Sequence, residues 1–179
     1  MSTLEKYYNY FGKIKVLGLI ISGIGVIIMM FAVVADALSR NITGGSILGV
    51  YEITQNYLMI VTIFPAIPYL YSTGIMPKME IFIEKMKDSL KLKVFLFLIF
   101  TEIVIYLFVT IYTFDFAYTG LVNDVHFPAG GKMYILYPFY FLIPIAFVLL
   151  IIENIFVLIK TFKTKKPGLL FHEIKAEDF

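Results

Sequence analysis

In an otherwise apolar chain, three ionisable residues crowd one stretch, VVADALSRNITGGSILGVYEIT at residues 33–54: Asp36, Arg40 and Glu52. Asp36 and Arg40 are four apart, so on a continuing helix they share a face, and Glu52 returns after a glycine-rich gap to the same boundary. A guanidinium suits planar carboxylates, so Arg40 is placed to be chelated by both acids, tying a hairpin together or receiving a partner's loop. The same residues also fit a plainer role as the solvated ends of two apolar segments. The sequence leaves both open.

Glu102 and Glu153 pose a different problem, because each falls inside a long apolar run. A carboxylate in hydrocarbon is stabilised by protonation or by a partner, so membrane acids gather at helix interfaces. Antiparallel packing would bring the two to comparable depths. There they would serve as interhelical or intersubunit hydrogen bonds or, with further ligands, as a proton relay. Enzyme chemistry finds no support: the chain has no HExxH, no phosphate-binding glycine loop, no GxSxG and no cysteine. His126 and His172 lie in polar flanks, so no span offers an axial haem ligand. Nothing in the pattern implies a resident cofactor, a metal or a nucleic-acid partner.

The elements that must position these residues follow from composition. Of 179 residues, 60% are hydrophobic and 16% charged, and the mean hydropathy is +0.86, far more apolar than a soluble domain. The apolar residues recur in four runs, 16–35, 53–77, 94–114 and 133–152, each near the roughly 20 residues a helix needs to cross the hydrocarbon. The expectation is an all-α integral membrane protein, one domain over 1–179, with spans at about 14–38, 50–74, 92–114 and 133–160. The first run exceeds the apolar core of a signal peptide and lacks a small-residue cleavage site, so it is expected to remain as an anchor.

Thirteen of the fifteen basic residues fall before the first run, between the second and third, or after the fourth. The positive-inside bias then places both termini and the middle loop in the cytoplasm, with 36–52 and 115–132 outside. Tyr7, Tyr8, Tyr10 and Phe11 interleave with Lys6, Lys13 and Lys15, a headgroup-level anchoring pattern. Ile75, Met79, Phe82, Ile83, Met86 and Leu90 share a helix face among charged neighbours, so residues 77–91 are expected to form an amphipathic helix on the inner leaflet, bound to lipid or docked on a partner. The polybasic tail at 161–179 suits anionic lipid. Pro65, Pro68, Pro138 and Pro144 predict kinks, and Gly18, Gly23 and Gly25 would allow close helix approach without a strict GxxxG pattern.

The segments ADALSRN…GSILGVYEI and IFPAIPYLYSTG resemble the small membrane subunit of tripartite ATP-independent periplasmic transporters, the DctQ-like family. The resemblance rests on Asp36, Arg40, Gly49, Glu52, Pro65 and Gly74 in order and spacing, and on MYILYPFYFLIPIAFVLLIIENI, similar to the family's last span. It covers roughly residues 10–162 and departs after Gly74, where the family often shows a His and basic residues but this chain reads Ile75, Met76, Pro77, Lys78.

The resemblance implies a sodium-driven organic-acid uptake system in a bacterial or archaeal cytoplasmic membrane. A large multispanning permease subunit would hold the substrate and sodium sites and move by an elevator-like motion, and a periplasmic substrate-binding protein would deliver the acid. The small subunit would pack against the large subunit's static scaffold, with Asp36, Arg40 and Glu52 shaping the first hairpin near that interface. A stand-alone channel or proton-coupled carrier built on Glu102 and Glu153 is the alternative.

Overall fold

The computed structural model describes residues 3–74, 88–164 and 171. Four helices, each long and apolar enough to cross a membrane, dominate the described residues: α1 (Thr3–Thr43), α2 (Val50–Ser72), α3 (Asp88–Val122) and α4 (Tyr137–Thr164). Of the expected amphipathic segment at 77–91, residues 77–87 lie outside the described residues, and 88–91 form the first turn of α3. The tail beyond Thr164 also lies outside them, apart from Phe171.

The proline-free α1 runs for 41 residues without a break, about 60 Å at 1.5 Å per residue. Gly44 ends it with φ 75° while its N–H bonds the Arg40 carbonyl at 3.2 Å, a left-handed helix cap. In contrast, α2 changes gauge along its length. A π turn at Thr54–Leu58 and a 3-10 turn at Phe64–Ala66 interrupt it, the second at Pro65, whose ring and missing N–H disturb the regular ladder.

The helix α1 packs into that disturbance. Pro65 cannot bond the Val61 carbonyl one turn back, and Ser22 Oγ of α1 donates to that oxygen at 3.4 Å. A Cβ at Gly18 would lie 2.3 Å from the Pro65 carbonyl oxygen, and one at Gly25 would lie 2.8 Å from Thr62 Cγ2. Gly18, Ser22 and Gly25 thus form one face on which the two backbones approach closely, a small-residue contact.

At the other edge α3 packs extensively along α4. Between them the chain makes a two-stranded antiparallel hairpin, β1 (His126–Ala129) and β2 (Lys132–Ile135), with Ala129 opposite Lys132. Gly130 and Gly131, at φ 55° and 80°, make its two-residue turn, whose positive φ values favour glycine. The segment expected to open the fourth span therefore begins as strand, and helix resumes at Tyr137. The hairpin tip rests on the first loop: a Cβ at Gly130 would lie 3.1 Å from the Leu48 carbonyl oxygen. Phe127, Ala129 and Leu136 bury against Ile53, Tyr57 and Tyr140, and the Tyr57 ring stacks on Phe139 with centroids 4.1 Å apart. An aromatic cap closes this end of the bundle.

Candidate functional site

The residues with chemical potential gather at the opposite, lysine-rich end. Tyr8, Phe11 and Lys15 stand at i, i+3 and i+7, on one face of α1, and that face is buried against α4. Lys15 and Glu153 are 3% and 1% exposed, with Nζ 2.6 Å from Glu153 Oε2. Tyr8 donates to the other carboxylate oxygen at 2.6 Å, and Lys15 donates to the Tyr8 hydroxyl at 3.2 Å. The ammonium also lies 4.6 Å and 5.0 Å from the centroids of the Tyr8 and Phe11 rings. Charge pairing, a hydroxyl and two aromatic faces together offset its desolvation. Phe171 stacks on Tyr8 at 3.7 Å, and Phe95, Ile99 and Val157 complete the apolar wall.

One residue further along α4, Asn154 opens a second cluster. Its Nδ2 donates to Glu102 Oε2 of α3 at 3.1 Å, and its Oδ1 lies 2.7 Å from the Tyr71 hydroxyl near the end of α2. The same hydroxyl contacts Glu102 Oε2. Tyr106, one turn beyond Glu102, sets its ring edge-on to Tyr71 with centroids 6.4 Å apart. Gly74, at φ 73°, caps α2 three residues after Tyr71, its N–H bonding the Tyr71 carbonyl at 3.4 Å.

The consecutive residues Glu153 and Asn154 therefore connect α4 to the other three helices through side chains. Such a network fixes the rotation and register of each helix, because slipping one would strand a charge or a hydrogen-bonding group in an apolar interior. Among the described residues no group of His, Cys, Asp and Glu is arranged to hold a metal.

The triplet of Asp36, Arg40 and Glu52 is only partly assembled. Arg40 Nη2 lies 2.6 Å from Asp36 Oδ2, with the arginine side chain 60% exposed. Asp36 Oδ1 accepts the Ile47 N–H at 2.7 Å, so this carboxylate also pins the loop that returns to α2. Among the described residues Glu52 makes no ion pair with Arg40. It lies instead in the first turn of α2, where the helix dipole favours a carboxylate. Gly49, at φ 88°, precedes that turn and packs on Gly130. Pro65, six residues before Tyr71 on α2, makes the kink against Gly18, three residues beyond Lys15 on α1.

Sequence reasoning overlooks Tyr71 and Asn154 and assigns Tyr8 and Lys15 to interfacial anchoring. One signal was present: Asn154 follows Glu153 directly, a polar pair within an apolar run. A family model described as "Tripartite ATP-independent periplasmic transporters, DctQ component" matches residues 29–164. No curated protein and no solved structure matches the chain. The matched region contains Tyr71, Glu102, Glu153 and Asn154 but begins after Tyr8 and Lys15.

Proposed function

We propose, on the premise that the chain belongs to the DctQ component family of tripartite ATP-independent periplasmic transporters, that it is a static scaffold which packs against and stabilises a large transport subunit. The chain is the small component of such a transporter and a multi-pass protein of the inner membrane. In this proposal it catalyses no reaction and holds no cofactor. Sodium and an organic acid bind in the large multispanning subunit, and a periplasmic binding protein delivers the acid. Both termini face the cytoplasm, as the lysine distribution favours.

The observation that carries the proposal is the buried polar clamp linking all four helices at Glu153 and Asn154. A brace for a moving partner has to resist rearrangement, and paired buried charges penalise any slip between helices. Outside the clamp, α1 and α3 expose large apolar side chains, among them Ile24, Phe31, Phe97, Phe108 and Tyr112, to lipid or to a partner's helices.

Expression of the tagged chain with its native neighbours, followed by purification in mild detergent, tests this. Stoichiometric recovery of a large multispanning protein is the expected result. A chain that purifies alone and conducts ions in liposomes would overturn it and return Glu102 and Glu153 to a transport pathway.

A further inference from the structure

A groove of about 860 Å³ opens between the first half of α1 and the end of α2, beside the buried Lys15. Its lining grades along α1 from polar to apolar: Asn9 and Lys13 at one end, Val16 and Leu17 at the other, with Ser72 and Thr73 contributed by α2. The described lining contains lysines and no acidic residue. Lys15 is neutralised by Glu153, whereas Lys13 is exposed and makes no ion pair among the described residues. The described lining therefore carries net positive charge at its polar end.

We propose that this groove binds one anionic phospholipid with a hydroxyl-bearing headgroup, of the phosphatidylglycerol type. The phosphate sits by Lys13 and Asn9, and an acyl chain follows Val16 and Leu17 toward the middle of the membrane. Two further features fit this occupant. Ser72 and Thr73 spend their protons on the Tyr69 and Leu70 carbonyls, at 2.8 Å and 3.0 Å, so their oxygens remain as acceptors for headgroup hydroxyls. Gly12 also lines the groove, and a Cβ there would meet nothing within 4 Å, which keeps that wall open.

Native mass spectrometry and thermal unfolding of the detergent-purified full chain test the proposal. The probes are dioleoyl phosphatidylglycerol, dioleoyl phosphatidylcholine and inorganic phosphate, each added separately. Expected is retention of one phosphatidylglycerol with a raised melting temperature, little retention of phosphatidylcholine and no effect of phosphate, which lacks the acyl chain. Lys13→Gln should weaken retention about fivefold, the effect of one lysine near an anionic surface. Gly12→Phe, which enters open space, should abolish retention while leaving the lipid-free melting temperature unchanged. Equal retention of both lipids, retention undiminished in Gly12→Phe, stabilisation by phosphate alone, or no lipid retained because protein fills the groove would each overturn the proposal. None of those results would alter co-purification with a large subunit, so the scaffold reading stands or falls separately.

Discussion

Lys15 and Glu153 are 138 positions apart in the chain and 2.6 Å apart in space, both buried, and they join the first transmembrane helix to the last. An ion pair this enclosed matters less for the attraction it supplies than for the penalty it places on arrangements that break it. It acts as a specificity device, and that property separates its single and double replacements.

Lys15→Met should destabilise the chain by about 3–5 kcal/mol, because Glu153 is then left as an uncompensated buried acid. The double replacement Lys15→Met with Glu153→Leu should recover most of that loss, since apolar packing replaces a desolvated pair at similar volume. Thermal unfolding in detergent reads both. A double variant no more stable than the single would show that the pair adds attraction rather than constraint.

The second cluster gives a smaller effect with a clearer signature. Tyr71→Phe removes the hydroxyl that meets both Glu102 and Asn154, and an interhelical hydrogen bond of this kind is worth about 0.6–1.7 kcal/mol. In a double-mutant cycle, Tyr71→Phe and Asn154→Ala should therefore couple, with the combined loss smaller than the sum of the two. Strict additivity would mean that the Tyr71–Asn154 contact contributes nothing.

The four spans were legible in the sequence because hydropathy over twenty residues is a local quantity. The clamp was not, because its recognition depends on pairings across the whole chain. A lysine just before the apolar run at Val16 has the pattern of a headgroup anchor, and only the approach of α4 turns Lys15 inward. The hairpin hid for another reason. Met133, Tyr134 and Ile135 merge with the following span in any hydropathy window, although Gly130-Gly131 between short apolar segments carries the turn signal. In the triplet of Asp36, Arg40 and Glu52, the i, i+4 spacing captured the pair Asp36–Arg40. The side chain of Glu52 depends on how α2 starts after Gly49, which spacing does not specify.

The glycines of α1 offer a graded series on one helix. Gly18→Ala should sharply destabilise the α1–α2 contact, since its Cβ would overlap the Pro65 carbonyl oxygen at 2.3 Å, a backbone atom that moves only with the kink. Gly25→Ala meets a side-chain methyl of Thr62 at 2.8 Å and should be milder. Gly23→Ala meets nothing within 4 Å, and alanine's helix preference should leave it neutral or stabilising by up to about 1 kcal/mol. Melting temperatures of the three variants should fall in the order Gly23→Ala, Gly25→Ala, Gly18→Ala. Any inversion would place the close helix contact elsewhere.

At the other end of the bundle, Asp36 and Arg40 should behave unequally although they form one ion pair. Arg40 is 60% exposed, and an exposed pair contributes about 0–1 kcal/mol, so Arg40→Ala should scarcely change the stability of the isolated chain. Asp36 also accepts the Ile47 N–H, so Asp36→Ala should loosen the loop between α1 and α2 and accelerate amide exchange at Ile47. If the scaffold proposal holds, Arg40 has a second role that appears only in the assembly. Arg40→Ala should then lower recovery of the large subunit while the melting temperature of the isolated chain stays level. Should both quantities fall together, Arg40 stabilises the fold; should neither fall, Arg40 lies away from the partner's surface.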